Sequence, residues 1–172
     1  MFNAQQPVAV LQTELTHRDP HHRCEAIRKI AQSGKTYVGL TATIIRLVAD
    51  RDEETRAWAC EALESLVVPE PSDLAELTQL LRETNDGDIE YWSATMIGRL
   101  GSAAGPATGA LANCLLDSAC LAARERAAWA LSEIGPPARG AVNALLQIGP
   151  DDPPRLQRLA ASAIQAVARR AA

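Results

Sequence analysis

Ligating side chains gather at one place in this chain. His17, His21, His22 and Cys24 all fall within the run THRDPHHRC. His17 should end one helix and the other two histidines start the next, so the imidazoles can converge across the turn. A structural zinc site asks for about four firm ligands at structured spacing. This run lacks that spacing, and an exposed polar helix cap accounts for it. Carboxylates crowd residues 52–90, but acids without a pocket are no argument for acid–base catalysis. The chain contains no G-x-S-x-G, no phosphate-cradling P-loop and no G-x-G-x-x-G. No catalytic, cofactor-binding or metal-binding residue is assigned, and the chain is expected to be a non-enzyme without a cofactor.

The remaining chemistry is that of binding, and it lies with the aromatics, so the elements that carry them decide what they can do. Apolar residues make up 47% of the 172 positions but aromatics only 3%. The core must therefore be built from Ala, Leu, Ile and Val, whose small side chains let helices approach closely. The net charge of −4 argues against a phosphate-neutralising footprint and hence against a nucleic-acid partner. Charge is uneven: residues 51–100 hold 12 acids against 4 bases, and both flanking segments are slightly basic. Met1–Thr16 shows no basic segment followed by an apolar core, no apolar run reaches membrane-spanning length, and the four cysteines form no CxxC or disulfide framework. All four are read as reduced, structural residues, and the expected location is the cytoplasm.

Order comes from repetition. Arg56–Val67 reads RAWACEALESLV and Arg124–Gly135 reads RERAAWALSEIG. Both carry Arg, a small residue at +3, a small–aliphatic pair at +6/+7 and an aliphatic at +10. Weaker copies stand at EYWSATMIGRLG (Glu90–Gly101), RCEAIRKIA (Arg23–Ala31) and LAASAIQAVA (Leu159–Ala168). Aligning Ala26-Ile27, Ala62-Leu63, Met96-Ile97, Ala130-Leu131 and Ala163-Ile164 gives spacings of 36, 34, 34 and 33. That alignment sets Pro20 at the Arg position of the first repeat, Glu90 in the third and Gln157 in the fifth. A period in the thirties means one helical hairpin per repeat, none able to bury its apolar stripe alone. Partner helices are expected near Val8–Thr16, Thr36–Ala49, Ser72–Glu83, Pro106–Asp117 and Pro137–Ile148, with a last helix at Arg155–Ala171. Gly34, Gly101, Gly135 and Gly149 stand as C-caps, Asp19, Ser72 and Asp88 as N-caps. The expected whole is one all-α domain over 1–172, with repeats at about 7–34, 35–68, 69–101, 102–135 and 136–172.

The motifs Arg56…Ala59…Ala62-Leu63 and Arg124…Ala127…Ala130-Leu131…Ile134-Gly135 resemble bacterial HEAT repeats of the phycobilin-lyase-like (PBS lyase) type over nearly the whole chain. The resemblance implies a right-handed αα superhelix whose second helices line the concave side. It implies little about function, since such arrays act as scaffolds, enzyme subunits and inhibitors alike. The His-Glu pair seen in HEAT-like di-iron hydroxylases is missing.

On a 100°-per-residue wheel, positions +3, +6, +7 and +10 cluster on one core face, and +5 lands about 150° away. The outward row is then Glu25, Glu61, Thr95, Trp129 and Ser162. Position +2, at the core boundary, reads His22, Trp58, Trp92, Arg126 and Leu159; position +1 reads His21, Ala57, Tyr91, Glu125 and Arg158. Trp58, Tyr91, Trp92 and Trp129 are read as an aromatic track suited to a protein partner, with Thr95 beside it and Glu61, Glu64, Glu90, Glu125 and Glu133 as an acidic rim favouring a basic or amphipathic segment. The competing reading wedges Trp58 and Trp92 between adjacent repeats. Arg56 and Arg124 are expected to bridge to Asp50, Asp52 or Asp117 and hold register. The alanine-rich last helix leaves open an end-to-end homodimer. A scaffold or interaction module is the leading functional expectation. A HEAT-type subunit or chaperone-like partner of a tetrapyrrole chromophore lyase is the alternative.

Overall fold

The computed structural model describes residues 8–35, 37–65 and 69–169. These residues form ten α-helices and no strand. In order they are α1 (Val8–Leu15), α2 (Pro20–Ser33), α3 (Thr41–Arg46), α4 (Glu53–Ser65), α5 (Leu74–Glu83), α6 (Gly87–Arg99), α7 (Thr108–Asp117), α8 (Leu121–Ile134), α9 (Val142–Leu145) and α10 (Pro154–Ala168). Contacts group the chain into two compact units, Met1–Asp73 and Leu74–Ala172. In the first, α1 pairs with α2 and α3 with α4, and α2 packs on α4. In the second, α5–α6, α7–α8 and α9–α10 are the hairpins, with α6 against α8 and α8 against α10 in one layer, and α5 against α7 and α7 against α9 in the other. Each unit is thus a stack of antiparallel hairpins, and no described helix is long and apolar enough to cross a membrane.

The core answers the composition. Ala26, Ala59, Ser93, Ala127 and Ala160 take the same small slot on successive second helices, all at most 2% exposed. Around that slot Ile27, Ile30, Leu63, Ile97 and Leu131 are buried. A larger residue in the slot would push two helices apart, and close packing makes even one methylene felt. Ser93 departs from the alanine rule, and its buried hydroxyl has no hydrogen-bond partner.

Three expectations about helix limits change. The segment expected to be helical from Thr36 starts at Thr41, after Gly39 at φ +76°, and closes as a 3-10 turn over Leu47–Ala49. Asp86, not Asp88, caps α6, its carboxylate accepting from the Asp88 and Ile89 N–H groups. Ser72 lies inside a 3-10 turn over Pro71–Asp73. Gly34, Gly101 and Gly135 hold positive φ as expected of helix ends, whereas Gly149 does not. Asp19 caps α2 as expected. Thr36, Leu66, Val67 and Ala171 lie outside the described residues.

The fourth residue of each second helix is Arg23, Arg56, Glu90, Arg124 and Gln157. The repeat position in the first hairpin is therefore Arg23, not Pro20, and the period becomes an even 33, 34, 34 and 33. Matching Ala26-Ile27 to the small–aliphatic pair misplaces the register, because Ala26 occupies the +3 slot. This side chain ties down the loop before its own helix. Arg23 donates to the His17 and Arg18 carbonyls at 2.7 and 3.1 Å, Arg56 to those of Asp50 and Arg51 at 2.9 and 3.3 Å. Gln157 does the same to Asp152 O at 2.6 Å and Pro150 O at 3.2 Å.

The same position also reaches forward about 28 residues to the loop before the next second helix. Arg23 forks onto Asp50 at 2.7 and 2.8 Å, and Arg124 meets Asp152 at 2.9 Å. Where Glu90 replaces the arginine, Ser118 replaces the aspartate and donates its hydroxyl to Glu90 at 2.5 Å. The expected partners shift accordingly: Asp50 serves Arg23, Asp52 caps α4 through Thr55, and Arg124 takes Asp152 in place of Asp117. Burial works against ionisation of Asp50, but the Arg23 guanidinium and the Asp52 N–H hold its carboxyl below the ordinary aspartate range.

Candidate partner-binding surface

With every second helix clamped at its fourth residue, the side chains one, two and five positions further on are fixed in direction. In the second unit this places Tyr91 on α6 opposite Arg126 on α8. The Arg126 guanidinium lies over the Tyr91 ring at 4.9 Å and near the Trp129 ring at 5.4 Å. Its Nη2 donates to the Tyr91 hydroxyl at 2.7 Å. A guanidinium beside two aromatic faces gains a cation–π attraction that strengthens as water is excluded. Tyr91 in turn meets Trp92 edge to face at 5.3 Å.

Trp129 is half-buried, neither lost in the interior nor fully outward. One side of its indole lies over Gly98 of α6. A Cβ at Gly98 would sit 2.5 Å from Trp129 Cζ3 and 3.0 Å from the Ala130 Cα. The ring thus fills the notch that the missing side chain leaves, and its other side faces a hollow of about 140 Å³ lined by Tyr91, Glu125, Arg126, Trp129, Arg155 and Leu159.

Two members of the expected surface are not on it. Trp92 is 8% exposed and Thr95 4%. The wheel gave α6 a narrow buried stripe, yet every residue from Trp92 to Gly98 is buried. A helix packed against both its hairpin partner and the next second helix is covered over a wider arc than one repeat pattern marks. Thr95 turns its hydroxyl back to the Tyr91 carbonyl at 2.7 Å. Trp92 is thus buried and takes no part in the exposed surface.

The acidic rim is uneven. Glu125 is paired with Arg155 at 3.2 Å and Glu90 is engaged by Ser118, while Glu133 stands exposed. In the first unit Glu61 and Glu64 are exposed on α4, where Trp58 is half-buried with its indole N–H 3.3 Å from Glu54. With the corrected register the first outward residue is Arg28, which holds Glu25 at 2.6 Å. Arg126 was missed as a site residue. Its signal was available: it stands three residues before Trp129 on one helix face, where its charge interrupts an aromatic row.

At the α1–α2 turn His17 and His22 do converge, ring centroids 4.3 Å apart, with His22 Nδ1 3.4 Å from Asp19. No group of three or more His, Cys, Asp or Glu among the described residues is arranged to hold a metal. Of the cysteines, Cys24 and Cys114 are buried and Cys60 and Cys120 partly exposed, and none of the four is in a disulfide. Burial, helped by Glu90 and Cys120, pushes the Cys114 thiol up to about 12.

Stacked helical hairpins with a clamp residue at a 33–34-residue period define an α-solenoid repeat protein. The HEAT-repeat model matches residues 8–98 and 74–168, so the chain belongs to the HEAT-repeat family. No curated protein sequence matches it. Among solved structures it resembles an engineered protein at 20% identity and TM-score 0.60, over 95% of this chain and 80% of that one. A designed armadillo repeat protein in complex with the peptide (KR)4 aligns at 19% identity and TM-score 0.60, covering 91% of this chain and 80% of that chain. The complex of CpcE and CpcF of phycocyanin lyase from Nostoc sp. PCC7120 aligns at 15% identity and TM-score 0.57, covering 91% and 96%. At these identities the likeness is one of fold.

Proposed function

We propose that this protein is a non-enzymatic interaction module, one array of five hairpins, that grips an extended or amphipathic segment of a partner protein along the exposed faces of its second helices. The observation that carries the reading is the half-exposed row Tyr91–Arg126–Trp129. A rigid pair of aromatics around a fixed cation, beside the partly exposed Leu159, has the make-up of an interface hot spot. A designed relative of the same fold holds a peptide, which supports a peptide as the class of ligand. The basic partner suggested by the acid count is less well supported, because Glu125 is neutralised by Arg155 and the aromatic row contains its own cation. A homodimer through α10 would have to bury Arg158, Ser162 and Gln165, all exposed and polar.

The chromophore-lyase reading is supported only by a shared fold. The hollow of about 140 Å³ is smaller than the roughly 300–1,000 Å³ of sites that enclose small ligands, so a tetrapyrrole would rest on this surface instead of in it. A visible-absorbing ligand that co-purifies and quenches tryptophan fluorescence would favour it. The peptide reading is tested by panning the immobilised protein against a displayed random-peptide library. Enriched sequences whose binding is lost in Trp129→Ala are expected; no enrichment, or enrichment indifferent to that substitution, refutes the reading.

A further inference from the structure

The surface already described holds an uncompensated charge. Arg126 is part-buried between α6 and α8, and its only polar partner among the described residues is the neutral Tyr91 hydroxyl. No described carboxylate pairs with it: Glu125, the nearest in sequence, is taken by Arg155. Arg23 and Arg124, the part-buried arginines at the fourth position of their helices, each meet a carboxylate instead. A half-buried arginine without a counter-ion has given up part of its hydration, and an anion compensates that loss well. The ring contacts offset part of that loss and hold the guanidinium plane in place, while the hydrogen bond uses one of its five N–H groups. Arg126 lines the hollow together with Leu159 and the Glu125–Arg155 pair.

We infer that the Arg126 guanidinium, held between Tyr91 and Trp129, is an acceptor-seeking subsite for an Asp or Glu side chain of the partner segment, with an adjacent aliphatic residue of that segment seated on Trp129 and Leu159. The inference rests on the peptide-binding reading and adds the polarity of the anchor. A carboxylate fits because it can take two parallel N–H groups of the fork. Arg155 balances Glu125 in the same hollow, which leaves the Arg126 charge to favour an acidic residue over a lysine.

The test pans random displayed ten-residue peptides against wild type, Arg126→Gln, Arg126→Lys and Tyr91→Phe proteins, each first checked by circular dichroism for wild-type helicity and melting. The inference expects wild type to enrich peptides with Asp or Glu next to Leu, Ile or Val. Synthetic copies should bind Arg126→Gln about ten- to a hundredfold more weakly, the range expected for losing a charged hydrogen-bond pair. Arg126→Lys should recover part of the loss, and changing the acidic residue of the peptide to its amide should cost wild type the same factor but Arg126→Gln little. Enrichment of basic or uncharged peptides, or equal affinity for wild type and Arg126→Gln, overturns the acidic anchor and leaves the peptide groove standing. Failure to enrich any peptide overturns both.

Discussion

Gly98→Ala probes the contact on which the surface depends. Alanine is the better helix former by about 1 kcal/mol, so an exposed helix would gain. Here the added methyl would stand 2.5 Å from Trp129 Cζ3 and 3.0 Å from both Cα and Cβ of Ala130. Contacts at that range force the neighbour to move, and overpacking costs typically about 1–3 kcal/mol. The ring can swing but the Ala130 backbone belongs to α8 and cannot, which puts the strain in the upper part of that range, about 2–3 kcal/mol, and after the helix gain of about 1 kcal/mol the net loss is about 1–2 kcal/mol. At roughly 2–4 °C per kcal/mol for a chain of this size, thermal unfolding followed by circular dichroism should show a melting temperature lower by about 2–8 °C. Because the ring leaves its notch, Trp129 emission should also shift to the red. In a Trp129→Ala background the same glycine change should cost less by about 1 kcal/mol, the coupling of two groups in contact. An unchanged or raised melting temperature for Gly98→Ala, or identical costs in both backgrounds, would refute the account of how α8 presents its tryptophan.

Four further outcomes follow from the same geometry. Ser93→Ala should stabilise by up to about 1 kcal/mol, because it removes a buried hydroxyl without a partner from a slot that is alanine in the other four hairpins; a lower melting temperature would show that the hydroxyl is satisfied after all. Arg23→Ala should cost about 2–3 kcal/mol, since it strands Asp50 at 8% side-chain exposure, whereas Arg124→Ala, whose partner is 22% exposed, should cost less; urea titration of both variants orders them. Asp50, Asp52 and Asp152 all have folded-state pKa values below the ordinary one, so their contribution is complete above about pH 3.9 and is lost as pH falls through the lower folded values. A melting temperature measured from pH 7 downward should hold until about pH 4 and then drop, and less steeply in Asp50→Asn. Native alkylation read by mass spectrometry should modify Cys60 and Cys120 well before Cys24 and Cys114, whose thiols burial holds protonated.

The hairpin stack was legible because repeats say the same thing five times, and an error in one copy is corrected by the others. The slip at Pro20 shows the limit. Ala26 satisfies either the small slot or the small–aliphatic pair, and only the bonds of Arg23 to the preceding loop decide. The surface was harder to read for a related reason. A helical wheel knows one helix, whereas exposure on α6 is set by how closely α8 lies against it, and that closeness comes from Gly98, two turns away from Trp92. Thr95 and Trp92 are therefore buried where the wheel has them at the surface, and Trp129 is half-buried where the wheel turns it outward. Arg126 went unnoticed because its importance comes from a tyrosine 35 residues away.

The exchange at Glu90 separates the two jobs that these second helices do. Their fourth residue holds the loops in register, and the chain meets that need with Arg–Asp twice and with a Glu–Ser pair once, reversing which side donates. A position whose chemistry can be inverted together with its partner is serving geometry, since either pairing fixes the loop at the same separation of about 28 residues. Arg126 has no such partner inside the described chain. The same residue type thus plays opposite parts two positions apart on α8. Arg124 meets a carboxylate within the fold, while Arg126 is held by Tyr91 and Trp129 without one among the described residues, the arrangement that the proposed acidic anchor requires.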